Sequence, residues 1–225
     1  MKFESIAGEI SLLPEKAVCI QDSTLVVADL HFGKINHFRR AGLPVPQAAN
    51  RKNAESLIDL VNALKPRRLI FLGDLFHSHY NDEWEAVGQI IANFPACKFD
   101  LVRGNHDIMS EQQYQRKGIT VVEKIILGHW ILTHEPMDRM QIPAGAVNMS
   151  GHLHPGARLE GKGRQSVVLP CFWFSRNQMI LPAFGSFTGL FPIRPLEGDR
   201  VHIILENKIM EITAATGEPY SGTVR

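Results

Sequence analysis

TLVVADLH, residues 24–31, sets the frame for the chain. Thr24 to Ala28 are β-branched or apolar with no turn residue among them, which reads as a strand buried on both faces. The strand runs straight into Asp29 and His31. Three later stretches repeat the form. RLIFLGD (68–74) ends in Gly73-Asp74, KFDLVRGNHD (98–107) in Gly104-Asn105-His106-Asp107, and WILTH (130–134) in His134. The strands expected are Thr24–Ala28, Arg68–Leu72, Lys98–Val102 and Trp130–Thr133. Each delivers a polar side chain at its carboxyl end, the edge at which open α/β sheets bind ligands.

Helical patterns separate these strands. After Pro46, Leu57, Ile58, Val61 and Leu64 recur at helical spacing until Pro66 stops the run. Asp82 reads as an N-cap for a helix with Trp84, Val87, Ile91 and Phe94 on one face, ended by Pro95. Ser110 and Gln113 form a capping-box pattern, and Gly118 fits the stop. Strand–helix alternation implies a parallel sheet with helices outside it. From about Val147 the character changes to Gly, Pro and short β-like runs: Ser166–Phe174, Met179–Leu181 and Val201–Leu205. These read as a second, more antiparallel sheet packed on the first, all within a single domain spanning residues 1–225.

Composition narrows the function. Lys and Arg total 24 against 23 Asp and Glu, so no whole-chain field draws the protein to a polyanion, and any pull on phosphate must be local. The three cysteines, Cys19, Cys97 and Cys171, are odd in number and in no C-x-x-C pattern, which suits reduced thiols and a cytoplasmic location. The opening MKFESIAGEISLLPEK breaks its apolar residues with Glu4, Glu9 and Glu15 and does not read as a signal peptide. No stretch approaches a membrane span.

The polar elements come in order: Asp29-x-His31, Asp74, Asn105-His106-Asp107, His134 and His152-x-His154. The x-spacings would point both side chains of each pair to one face if the backbone stays extended. Two carboxylates, one amide oxygen and four imidazoles form an oxygen and nitrogen set without thiolate. That set suits Mn, Fe or Zn. It is too large for one ion. If Asp74 bridges, two ions receive four protein ligands each, with positions left for water and substrate. Two such ions roughly 3.5–4 Å apart would share a water and lower its pKa toward neutrality. Each element alone is more often a turn or a surface histidine; the conjunction carries the reading.

Taken together, Asp29-x-His31, Gly73-Asp74, Gly104-Asn105-His106-Asp107, His134 and Gly151-His152-x-His154 resemble the signature of calcineurin-like metallophosphoesterases. The resemblance implies a four-layer α/β/β/α sandwich with two packed mixed sheets. It implies one metal on Asp29, His31, Asp74 and His154 and a second on Asp74, Asn105, His134 and His152. His106 would contact the phosphate or protonate the leaving oxygen, a role suited to a group with a pKa of about 6.5, and Asp107 would orient it. VADLHFGK, FRRAGLPVP, GDLFHSHYNDEW, LVRGNHD and LPAFGSFTG further resemble bacterial ligase-associated DNA damage response endonucleases of the PdeM type. That implies a Mn-dependent phosphodiesterase acting on DNA, single-stranded or nicked, in repair. It also implies partnership with an ATP-dependent DNA ligase, an exonuclease and a helicase. Gly73-Asp74-Leu75-Phe76-His77 resembles recombination nucleases of the SbcD type, in which the histidine lies near the substrate phosphate. The rivals are a phosphatase or pyrophosphatase of small esters or nucleotides, and a non-catalytic scaffold, which would lack one of the donors.

Other residues carry two readings each. Lys34, His37, Arg39 and Arg40 line a groove for a nucleic-acid backbone or form a solvated helix face. Arg103 contacts phosphate or pairs with a carboxylate. His77 faces substrate, whereas His79 reads as surface. Phe172, Trp173 and Phe174 offer a base-stacking platform or fill core, and Trp84 reads as core.

Overall fold

The computed structural model describes residues 1–5, 7–21, 23–34, 48–77, 82–161, 165–186 and 188–213. Seven strands form the first sheet in chain order: β1 (Lys2–Ser5), β2 (Gly8–Leu13), β3 (Ala17–Ile20), β4 (Thr24–Val27), β5 (Arg68–Leu72), β6 (Lys98–Val102) and β7 (Ile119–Val122). β1 to β4 pair antiparallel through hairpins. β4 to β7 pair parallel, because each link between them carries a helix: α1 (Ala48–Leu64), α2 (Asp82–Ala92) and α3 (Glu111–Arg116).

Alternation sorts the side chains of β4 and β5 between two cores. Leu25, Val27, Leu69 and Phe71 meet the helices, packing against Leu57, Leu60, Val61, Trp84, Val87, Ile91 and Tyr114. Val26, Ile70 and Leu72 point the other way, into the space between the sheets. Burial on both faces is why these strands read as continuous apolar runs. Two details differ from the helical expectations. Leu64 is exposed at the end of α1, since the helix has already turned its stripe away. α2 includes Asp82 in its first turn instead of starting after it. Pro46 lies outside the described residues. At α3, Ser110 and Gln113 form the expected capping box, with Ser110 N donating to Gln113 Oε1 (3.0 Å), and Gly118 beyond the helix has φ +80°.

The second sheet holds β8 (Ile125–Leu127), β9 (Trp130–Leu132), β10 (Val147–Ser150), β11 (Pro155–Glu160), β12 (Ser166–Ser175), β13 (Gln178–Ile180), β14 (Phe191–Pro192), β15 (Arg200–Leu205) and β16 (Lys208–Thr213). β9, β10 and β13 run parallel. The remaining pairs are antiparallel except β11 with β14. Trp130, Leu132, Val147, Met149, Phe172 and Met179 from this sheet close the inter-sheet core. The chain thus forms the expected α/β sandwich of two mixed sheets. Among the described residues its fourth layer is light: a 3-10 turn at Arg139–Gln141 and loops cover the second sheet. No helix among them is long and apolar enough to cross a membrane.

Candidate metal centre

All seven candidate ligands leave the carboxyl ends of strands and converge where the two sheets meet. Asp29 and His31 follow β4, Asp74 follows β5, Asn105 follows β6, His134 follows β9, and His152 and His154 lie between β10 and β11. The backbone is not extended there, contrary to the reading of the x-spaced pairs. Asp29, His31, Asp74, His152 and His154 have φ of 53°, 48°, 50°, 67° and 48°. Left-handed backbone costs a non-glycine residue about 1–3 kcal/mol, and such strain persists only where the surroundings impose it. Here a ladder does so. Asp29 N donates to Gly73 O (3.2 Å), His31 N to Asp74 O (2.9 Å) and Phe32 N to Leu75 O (2.9 Å). Across the sheets, His152 N donates to Asp29 Oδ2, and within the second sheet Gly151 N donates to His134 O. The turns approach too closely for a side chain at Gly73 or Gly104: a β-carbon there would fall inside the His134 ring or against the Asp74 amide.

The donor atoms are arranged against electrostatic preference. His134 Nδ1 lies 3.1 Å from Leu72 O and His154 Nδ1 3.2 Å from Thr188 O. A carbonyl oxygen only accepts, so both Nδ1 atoms are protonated and both Nε2 atoms carry lone pairs in the neutral rings. His134 Nε2 then faces Asn105 Oδ1 at 3.0 Å, His152 Nδ1 at 3.2 Å and Asp74 Oδ1 at 3.5 Å. His154 Nε2 faces Asp29 Oδ1 at 3.5 Å. Asp74 Oδ2 turns to the other side, 3.6 Å from His31 Nε2. Burial, with Lys34 and the rings of His154, His106 and His77 around it, pushes His31 down to about 2, so it is neutral. Both ring nitrogens of His31 and Asp29 Oδ1 are buried without a hydrogen-bond partner. Lone pairs gathered this closely, with buried polar atoms left unmatched, require positive charge between them. The donor atoms of Asp29, His31 and His154, and of Asp29, Asp74 and His134, lie within 4.8 Å of one another in each group. The residues present therefore fit divalent cations.

One wall beside these donors is imidazole. The His106 ring stands edge-on to His31 at 5.3 Å between centroids and stacks on His77 at 5.1 Å, and His77 is 5.5 Å from His31. His106 N donates to Asp74 Oδ1 (2.9 Å), tying this wall to the central carboxylate. Lys34 Nζ reaches Thr188 O (3.4 Å); burial lowers its pKa, opposed by the charges of Asp74 and Asp29. Arg39 and Arg40, with His37 and His79, lie outside the described residues.

Asp107 does something the sequence reading missed. Its buried carboxylate makes no hydrogen bond to the His106 ring. It accepts from Gly104 N (2.9 Å), Leu75 N (3.1 Å) and Tyr114 Oη (3.3 Å), clamping the turns that carry Asp74 and Asn105 to each other. Burial raises its carboxyl to about 6, against the amide hydrogen bonds. The Arg103 guanidinium is engaged by Asp107 O (3.1 Å), Glu111 (3.2 Å) and Glu123 (3.5 Å), which favours its structural reading over phosphate contact. Phe172 is fully buried, Trp173 donates to Asp199 and Phe174 packs edge-on to His202, so these three do not form a stacking platform. Trp84 is core.

Residues 23–156, well over half of the chain, match the family model of calcineurin-like phosphoesterases. The chain belongs to that family, and with these donors at the sheet edge it is a metallophosphoesterase, a hydrolase that uses divalent metals. Among solved structures it is similar to a nuclease of Pseudomonas putida, MPE, at 27% identity and a TM-score of 0.75, over 91% of this chain and 96% of that one. It also aligns with Yfce, a phosphoesterase from E. coli, at 16% identity and a TM-score of 0.45, over 84% and 97% of the two chains. No curated protein matches it.

Proposed function

We propose that the protein is a phosphodiesterase with a dinuclear centre that cleaves single-stranded or nicked DNA. Asp29, His31, Asp74 and His154 hold one divalent ion and Asp74, Asn105, His134 and His152 the other. The observation that carries this reading is the division of the Asp74 carboxylate, one oxygen toward His31 and the other toward His134. Bound there, Mn, or Fe or Zn on the same donors, supplies charge neutralisation on the phosphoryl oxygens and a water deprotonated at neutral pH.

The chain's own residues do the rest. Asp74 accepts from the His106 amide and so fixes the imidazole that protonates the leaving oxygen. His77, stacked on that ring, presents a second imidazole to the phosphate. Lys34 adds positive charge at the mouth, and Arg39 and Arg40 follow it in sequence. Asp107 holds the two turns in register.

DNA as substrate is supported by the similarity to a nuclease across nearly the whole chain and by the resemblance to ligase-associated endonucleases. The same resemblance supports a repair role beside an ATP-dependent DNA ligase, an exonuclease and a helicase. The free thiols of Cys19, Cys97 and Cys171 suit a cytoplasmic enzyme of one domain.

The test compares Mn-dependent cleavage of single-stranded DNA, nicked duplex and bis-p-nitrophenyl phosphate, wild type against His106→Ala. DNA should be cut, and the variant should keep its metal while turning over about 10²–10⁴ more slowly. Activity confined to the small ester would instead favour a phosphatase of small substrates. A variant as fast as wild type would remove His106 from the acid role.

A further inference from the structure

Past His154 the chain continues outward as β11, with β14 beside it. Phe191 N donates to His154 O and Ile193 N to Gly156 O, both at 2.9 Å. Gly156 and Arg158 share one face of β11 by alternation. Arg158 pairs with Val168 of β12. A β-carbon at Gly156 would meet the side chains of both Val168 and Leu190, so Leu190 and Arg158 occupy this face. From Leu190 the chain leads back to Thr188, whose carbonyl oxygen accepts from Lys34 and His154. Lys34, Leu190 and Arg158 therefore form a file running out from the centre. Arg194 joins it. Ile193 lies in the apolar cluster of the opposite face with Ala157, and the next residue of an extended chain returns to the face of Arg158.

Arg68, Arg103, Arg139 and Arg200 are all bound to side-chain partners. Arg158 and Arg194 are exposed and make no hydrogen bond or ion pair among the described residues. Arg51, Arg67, Arg116 and Arg176 are exposed without side-chain partners among those residues too, so it is their place beyond His154 that singles out Arg158 and Arg194. Glu160, two residues further along the same face of β11, makes no ion pair with Arg158 and bounds the file at its far end.

Resting on the reading of DNA as substrate, we infer that the face of β11 and β14 bearing Arg158 and Arg194 is a subsite for backbone phosphates on one side of the scissile bond. Each guanidinium takes one phosphate by paired N–H donors. Arg158 is four residues from His154, about 13 Å at the rise of a strand. That is about four nucleotides along a duplex axis. A small ester held at the centre does not reach it.

The experiment measures kcat/KM of wild type and of Arg158→Gln/Arg194→Gln on a 30-nucleotide single-stranded DNA across a KCl series, and on bis-p-nitrophenyl phosphate. The double variant should lose about tenfold on DNA at low salt, flatten the log–log salt dependence by about 1.4 units and match wild type on the small ester. Glu160→Gln, which removes a repelling charge, should improve DNA turnover and leave the small ester alone. If wild type cuts DNA and the double variant follows the same salt line, the subsite is overturned and the DNA reading stands. If the double variant loses equally on the small ester, the arginines act at the centre itself and the subsite is again overturned. If wild type cuts no DNA, the substrate reading falls and takes the subsite with it.

Discussion

The two sheets bring ligands to one centre but hold them by different means. On the first sheet the backbone does the holding. Asp29, His31 and Asp74 sit in left-handed turns laced to one another by amide-to-carbonyl bonds, and the buried Asp107 carboxylate clamps the Asp74 turn to the Asn105 turn. On the second sheet His152 and His154 also take left-handed backbone, with His152 N donating to Asp29 Oδ2, but His134 keeps ordinary backbone and its ring is aimed by Leu72 O. The loop after His134 is pinned by Asn148, which is fully buried, accepts from Met137 N and donates to Ile131 O and Thr133 Oγ1. The first sheet therefore depends on one charged clamp shared by two turns, whereas the His134 loop of the second distributes the task over neutral hydrogen bonds. A shared clamp fails as a unit; a distributed set fails piece by piece.

The largest break of that contrast is Asp74→Ala. Asp74 serves both halves, so its loss should bring metal content measured by mass spectrometry, and phosphodiesterase activity, to background together. Two ions retained at full occupancy would contradict a bridging carboxylate. Next comes the clamp against its counterpart. Asp107→Asn replaces one acceptor of amide hydrogens with a donor, leaving buried amides unmatched, and should destabilise by about 2–4 kcal/mol in urea titrations while lowering activity. Asn148→Ala should cost about 1–3 kcal/mol with a smaller effect on turnover, since the Leu72 carbonyl still orients His134. Equal losses of activity in the two variants would erase the distinction drawn between the sheets. The smallest effect is expected from Tyr114→Phe. It removes one hydroxyl from Asp107 while the amide bonds remain, for about 1 kcal/mol and unchanged metal content. A loss of metal in that variant would place Tyr114 closer to the centre's function than its geometry indicates.

Legibility in the sequence followed how local each determinant is. Arg68–Leu72 and Lys98–Val102 were readable to the residue because a strand buried on both faces needs an unbroken apolar run. Lys2–Ser5, Gly8–Leu13 and Ala17–Ile20 raised no such signal, since their pairing is with one another in hairpins and polar residues interrupt them. Val147–Ser150 was hidden for a different reason. Asn148 and Ser150 are polar yet buried, which a hydropathy pattern cannot anticipate. Asp107 was read as an orienter of His106 because the two are adjacent in the chain; its partners at Leu75 and Tyr114 are brought to it by folding.

By itself the sequence determined the identity and order of the donors and the strands that carry them to one edge, because side-chain chemistry and strand burial are written residue by residue. Only the tertiary structure decided how those donors point. The left-handed turns at five of them, and the carbonyls that settle which imidazole nitrogen bears the proton, depend on contacts between segments far apart in the chain.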